Sequence, residues 1–180
     1  MTKIVTHYGN IVDLVNPDPS TITLKDIAHN LSRIVRFNGA GKYRYSVAQH
    51  SIYVSNLVAP QHALPALMHD ATEAYLGDVV SPLKQLLPEY IRIERRMWEA
   101  ICLAFELNPA LSHAVHRADR QAYLKERTTL IGTPIVNDPD IEHFEGEIIT
   151  EVPIYPEQDP KEVAQDFETR FYVLQGRAVL

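Results

Sequence analysis

The chain has one cysteine, Cys102, in 180 residues, so an internal disulfide is excluded. Its neighbours, Ala100-Ile101 and Leu103-Ala104, are apolar, and it reads as a buried, inert thiol of a reducing compartment. No run approaches 18 uninterrupted apolar residues, which excludes a helical membrane span. The opening stretch, Met1 to Asn10, lacks the apolar core of a signal peptide, and the expectation is a cytoplasmic protein. Positive charge is scarce: 17 Lys and Arg stand against 23 Asp and Glu, for a net charge of −6. Those cations are scattered, whereas phosphate-backbone binding needs them clustered, so nucleic acid is disfavoured as the main partner. Repeats and low-complexity tracts are also missing. What is present is an ordinary globular balance, 46% apolar and 22% charged residues, together with eight histidines. A chain of this length forms one domain and buries roughly two thirds of its unfolded surface.

Periodicity predicts an all-α domain with a minor β embellishment. Short β-like runs lie at Lys3–Thr6 and Asn10–Val15, before the breaker Asn16-Pro17-Asp18-Pro19-Ser20. Thr23-Leu24-Lys25-Asp26 has the form of a capping box, and apolar residues at helical spacing follow from Leu24 to Val35. Asn38-Gly39-Ala40-Gly41 is a loop. Ser46-Val47-Ala48-Gln49 opens a second helix that stops before Pro60. A third is expected from Ala63 to Tyr75, ended by Gly77, with a short helical piece between Ser81-Pro82 and Pro88. Two long helices follow, Glu89–Leu107 and Ala110–Leu130. From Gly132 to Pro160 periodicity fails, which predicts a surface excursion with a short hairpin around Glu147–Val152. Asp159-Pro160-Lys161-Glu162 starts a last helix that runs to Gln175.

Chemistry concentrates at His69-Asp70-Ala71-Thr72-Glu73. On a continuous third helix, Glu73 lies four residues after His69 and three after Asp70, on one face. That face would otherwise join Leu67, Met68 and Ala74 in the core, where an imidazole and two carboxylates are costly without a compensating charge. A metal ion is the simplest compensation, although the dipeptide alone also fits a solvated helix face. His50 occupies an apolar position between Val47 and Val54, and by itself reads as a core histidine before it reads as a ligand. Asp119 sits mid-helix, where a short carboxylate has poor propensity, and could pair with Arg120 or Lys125. Together His50, His69, Asp70 and Asp119 form a mixed N/O set of the kind that holds Mn²⁺, Co²⁺, Fe²⁺, Ni²⁺ or Zn²⁺ with water positions open.

The order H…HD…D is the signature of the HD-domain superfamily of metal-dependent phosphohydrolases, and the likeness extends beyond those four residues. His69 to Lys84, with Glu73, Gly77-Asp78 and Pro82-Leu83-Lys84, resembles the HDxxE…GD…PxK segment of the YfbR-type 5′-deoxynucleotidases. Arg36-Phe37, then Tyr45-Ser46-Val47-Ala48-Gln49-His50-Ser51, is similar to their Arg-Trp…VxEHS segment. Val115 to Asp119 with Ala122 to Lys125 is similar to their last metal-ligand helix. The resemblance covers Ile22 to Leu130 and extends to the compact phage dATP triphosphohydrolases of the DatZ type.

The resemblance implies an HD-domain helical bundle in which His50, His69, Asp70 and Asp119 hold a divalent metal (Co, Mn, Zn, Ni or Mg). Glu73 would be the general acid/base, and Asp78 would stand beside the sugar or a second metal. Arg36 and Lys84 would take the substrate phosphates, and Phe37 and Pro82 would flank the base. Each has a plainer alternative: an exposed charge for Glu73, an N-cap for Asp78, a surface cation for Arg36 or Lys84, core for Phe37. Phe37 stands where the deoxynucleotidases carry Trp, and the adjoining loop is glycine-rich, so base selectivity does not transfer. The implied activity is hydrolysis of the 5′ phosphate ester of a deoxynucleotide. In the first form a dNTP (dATP-type) triphosphohydrolase releases triphosphate; in the alternative a 5′-deoxynucleotidase releases phosphate from a dNMP. A non-catalytic, metal-dependent nucleotide-binding module is the rival of another class, and a plain helical scaffold is the third. Relatives associate through helices, which implies a homo-oligomer. The stripe Ile93-Met97-Ile101 reads as core before it reads as an interface.

Overall fold

The computed structural model describes residues 2–131 and 152–176. The domain is all-α with a two-stranded embellishment. Strands β1 (Lys3–Val5) and β2 (Ile11–Asp13) pair antiparallel with Ile4 opposite Val12. Helices follow as α1 (Leu24–Leu31), α2 (Val47–Asn56), α3 (Pro60–Met68), α4 (Glu73–Leu76), α5 (Ser81–Lys84), α6 (Pro88–Phe105), α7 (His113–Glu126) and α8 (Pro160–Leu174). The expected hairpin around 147–152 and most of the excursion lie outside the described residues. No helix among those described is long and apolar enough to cross a membrane.

Caps define several of these boundaries. Ser46 accepts the Gln49 N–H while Gln49 returns its side-chain oxygen to the Ser46 N–H, a complete capping box. Asp159 accepts from the Lys161 and Glu162 amides, and Pro160 sits where a missing N–H is harmless. At α1 the reciprocal half differs from a capping box. Thr23 accepts the Asp26 N–H, but the Asp26 carboxylate takes the Thr23 hydroxyl, Asn10 Nδ2 and the Tyr8 N–H. It therefore fastens the amino-terminal hairpin to the bundle.

Helix α2 lies at the centre, packed on α3, α7 and α8, while α1 crosses α8 and α4. The main core gathers Leu31, Leu67, Met68, Met97, Ile101 and Phe167. A smaller cluster, with Val54, Ala66, Val115 and Ala122, joins α2, α3 and α7. Met97 and Ile101 of the α6 stripe are fully buried in the core, while Ile93 at its start is half-buried. Cys102 is buried too, and burial together with Glu99 pushes its thiol up to about 11, as an inert thiol requires.

Three elements differ from expectation. α1 stops at Leu31 instead of Val35, because residues 34–36 are drawn into an antiparallel bridge with 45–47: Arg36 N–H donates to the Tyr45 carbonyl and Val47 N–H to that of Ile34. α7 begins at His113, and its end passes into a π-helical turn, Arg127–Ile131. The third helix starts earlier, at Pro60, and breaks after Met68, so the expected continuous helix to Tyr75 is two pieces with turns across 69–72. The cause is local. The Ala66 carbonyl, the natural partner of the Asp70 amide in a continuing helix, accepts the His69 ring Nδ1–H at 2.7 Å. Tighter i→i+3 turns then carry the chain, Ala71 to Met68 and Glu73 to Asp70.

Candidate metal centre and adjoining pocket

That break turns His69 and Asp70 toward His50 on α2 and Asp119 on α7. The two Nε2 atoms approach to 3.3 Å. Asp70 Oδ2 stands 3.5 Å from His50 Nε2 and 3.3 Å from His69 Nε2. Asp119 Oδ1 stands 3.0 and 3.6 Å from the same two nitrogens. Ligand atoms about 2.1 Å from one ion are separated by about 3.0 Å at right angles and about 3.4 Å at the tetrahedral angle. The ligand atoms of His50, His69 and Asp119 all lie within 4.8 Å of one another, as the ligands of one ion would, and Asp70 Oδ2 adjoins that group through its two imidazole contacts.

Hydrogen bonding supports the same conclusion. His69 gives its Nδ1–H to a carbonyl, and His50 Nδ1 lies 2.7 Å from Glu126 Oε1, an acceptor. In its neutral form each ring thus presents the Nε2 lone pair to the centre, where two carboxylate oxygens also point. Converging lone pairs repel unless a cation lies among them. Burial and Arg36 oppose a charge on His50, yet Glu126 and Asp119 outweigh them and raise the imidazole to about 10. Burial likewise opposes a charge on His69, and Asp70 and Asp119 raise it. Burial acts to raise Asp119, but the two imidazoles hold its carboxyl well below the usual range. The centre has a strong appetite for positive charge, and these residues fit a divalent ion.

A cavity of about 410 Å³ adjoins the centre, the size of a small-ligand site. Asp70, Asp119, Glu73 and Asp78 line it, as do Arg36 and Lys84. Phe37 and Pro82 line it as well, with Arg120 and Tyr123 on α7. Every residue expected at the site is therefore at the centre or in this cavity. Phe37 is half-buried and tilts against Tyr123 at 5.9 Å, on the cavity wall instead of the core. Asp78 reaches the cavity because Gly77 ends α4 at φ 80, ψ 160, backbone that is essentially confined to glycine.

Glu73 is only 6% exposed, and its Oε2 has no hydrogen-bond partner. Burial first, then the carboxylates of Asp70 and Asp78, raises its pKa well above the usual range. Burial and Asp70 raise Asp78 in the same direction. The two expected phosphate cations are both already engaged. Lys84 Nζ bonds Glu94 Oε1 at 2.7 Å, and Arg36 Nε donates to Glu126 Oε2 at 3.2 Å, with its Nη1 3.8 Å from Asp70.

Glu126 was not among the residues the sequence singled out. It lies seven residues after Asp119, two turns along the same face of α7, but between Lys125 and Arg127 it reads as part of a surface charge run. That heptad spacing was the available signal. Among the other described histidines, His29 stacks on His7 at 3.7 Å, and His113 and His116 are exposed, away from the site.

No protein-family model matches the chain. It is 45% identical to the uncharacterized protein YfdR of Escherichia coli K12 over 132 residues, 72% of this chain and 73% of that protein. An uncharacterized Rhodobacter capsulatus protein is 38% identical over 124 residues, 63% of each chain. The extent and identity of the first match place this chain in the family of YfdR.

Proposed function

We propose that this protein is an HD-domain, metal-dependent phosphohydrolase that cleaves the 5′ phosphate ester of a deoxynucleotide. One observation carries the reading: two Nε2 lone pairs and two carboxylate oxygens converge at 3.0–3.6 Å beside a cavity holding a buried, unpartnered carboxyl. A divalent ion held by His50, His69, Asp70 and Asp119 would polarise a phosphoryl oxygen and acidify a bound water.

The chain's own groups supply the rest. Glu73, whose pKa burial and its acidic neighbours push up, is suited to pass a proton to the leaving 5′ oxygen. Arg36, fixed by Glu126, presents Nη1 on the cavity side, where negative charge develops on the phosphoryl oxygens. Lys84 adds a second cation at the rim. Phe37 and Pro82 offer apolar surface to the base, and Asp78 an acceptor to the sugar.

Release of intact triphosphate from a dNTP of the dATP type is the first form of this reading. The monophosphate form, a 5′-deoxynucleotidase, is favoured by one feature. Arg36 and Lys84 are each paired with a carboxylate, which leaves less positive charge for a triphosphate than two free cations would. Phosphorus NMR of the protein with Mn²⁺ or Co²⁺ and either dATP or dAMP separates them. Triphosphate from dATP supports the first form, and phosphate from dAMP with dATP untouched supports the second. Turnover of neither, with Mn²⁺ bound, supports the nucleotide-binding module. The homo-oligomer that accompanies this reading is checked by light scattering of the purified chain.

A further inference from the structure

A fully buried carboxylate is costly unless each oxygen is satisfied, so the partners of Glu126 matter. Its two oxygens serve two different parts of the site. Oε1 takes the proton of His50 Nδ1 at 2.7 Å, and Oε2 takes the Arg36 Nε–H at 3.2 Å. These contacts span 76 and 90 residues of sequence, so neither follows from local chain geometry. Helix α7 thus grips one imidazole from both sides, with Asp119 at Nε2 (3.0 Å) and Glu126 at Nδ1 (2.7 Å).

We infer that Glu126 is a positioning residue for both halves of the site, orienting His50 toward the metal and Arg36 toward the substrate phosphate. The inference rests on the phosphohydrolase reading above. A carboxylate bound to Nδ1–H fixes which ring nitrogen keeps its lone pair and raises the basicity of that lone pair. The same group holds the Arg36 guanidinium. Without it, Asp70 is the nearest acid left to Arg36, at 3.8 Å, and Asp70 is one of the four metal-facing residues. Glu126 therefore keeps a phosphate-binding cation from competing for a metal ligand.

Glu126→Gln separates the two duties, because a carboxamide has one acceptor. If its oxygen stays on His50, its NH₂ opposes the Arg36 Nε–H. If it flips, the NH₂ opposes Nδ1, the ring proton moves to Nε2, and the lone pair is lost to the metal.

Nitrogen-15 NMR of the metal-free protein tests the arrangement without reference to activity. Wild type should show slowly exchanging protons on His50 Nδ1 and Arg36 Nε, and Glu126→Gln should lose protection at one of them. A wild-type His50 protonated at Nε2 with a bare Nδ1 overturns the inference, even if the variant does not fold. Where the variant folds, Mn²⁺ titration calorimetry and kinetics should show a roughly ten- to hundredfold loss, as weaker Mn²⁺ affinity or a higher KM. A lower melting temperature with Mn²⁺ affinity and KM within twofold of wild type would make Glu126 merely structural and defeat the inference. A wild type that neither binds Mn²⁺ nor hydrolyses deoxynucleotides refutes the phosphohydrolase reading, while the two protected protons still decide the role of Glu126.

Discussion

In the proposed reading, replacing Asp70 by Asn should abolish the thermal stabilisation conferred by a divalent metal, with little change in metal-free stability. The substitution keeps size and removes one anionic ligand 3.3 Å from His69 Nε2 and 3.5 Å from His50 Nε2. In wild type, free Mn²⁺ at about a hundred times its dissociation constant stabilises the folded state by about 2.7 kcal/mol. A chain of this size gains about 2–4 °C per kcal/mol, so the rise in Tm is about 5–11 °C. If the lost ligand weakens binding roughly a hundredfold, the same Mn²⁺ gives about 0.4 kcal/mol, or about 1 °C. Metal-free, the variant relieves repulsion from Glu73, Asp78 and Asp119 but loses the attraction of Arg36 and the two imidazoles, so the two offset and it should melt close to wild type. Differential scanning fluorimetry in EDTA and then in Mn²⁺, Co²⁺, Ni²⁺ or Zn²⁺ reads both effects. A wild type unmoved by all four metals, or an Asp70→Asn protein with the full shift, refutes the argument.

Glu73→Gln should lower kcat by about 10²- to 10⁴-fold while leaving the Mn²⁺-dependent rise in Tm intact, since Glu73 lines the cavity and, unlike Asp70 and Asp119, makes no contact with the two imidazoles; an unchanged kcat would remove it from proton transfer. Asp26→Asn should destabilise the protein near pH 7 by about 1.5–3 kcal/mol, the usual worth of hydrogen bonds to a charged group. Burial opposes the Asp26 charge, but Asn10, Thr6, Thr23 and Tyr8 bring its pKa below the ordinary value. Its stabilisation is therefore complete above the unfolded value of about 3.9 and fades as pH falls through the folded one. Urea midpoints for variant and wild type should draw together as pH falls through the folded value, and a gap that stays constant with pH would contradict this. Phe167→Ala empties a fully buried site on α8 and should cost about 3–5 kcal/mol in urea unfolding; a loss below 1 kcal/mol would mean that α8 is not part of the core.

Much of the architecture is legible because its determinants are local. Ser46 with Gln49, and Asp159 with Pro160, start helices within a residue of where the caps place them. The strands and the α6 stripe follow from alternation and heptad-like spacing. The break at His69 is not legible, since it arises from a ring nitrogen that claims a backbone carbonyl, a competition that periodicity does not register. The shortening of α1 has the same origin, with residues 34–36 used by a bridge to residues 45–47. At the site, His50, His69, Asp70 and Asp119 stand out because polar residues interrupt apolar faces. Glu126 does not, because its burial depends on Arg36 being brought across 90 positions of chain.

The bridge between Val35 and Ser46 has a further consequence for how this site can diversify. It clips both ends of the loop from 37 to 44, so Arg36 and the start of α2 keep their separation whatever lies between. Phe37 and Asn38 adopt left-handed backbone within that loop, at φ 58 and 51, and turn one cavity wall out of the helical frame. Residues 38–43 lie outside the cavity lining, so insertions or exchanges there would act on the cavity through Phe37, the loop residue on its wall, while His50, His69, Asp70 and Asp119 keep their positions. Variation in the shape of that wall can then be concentrated in this short loop, with the histidine and carboxylate cluster left alone.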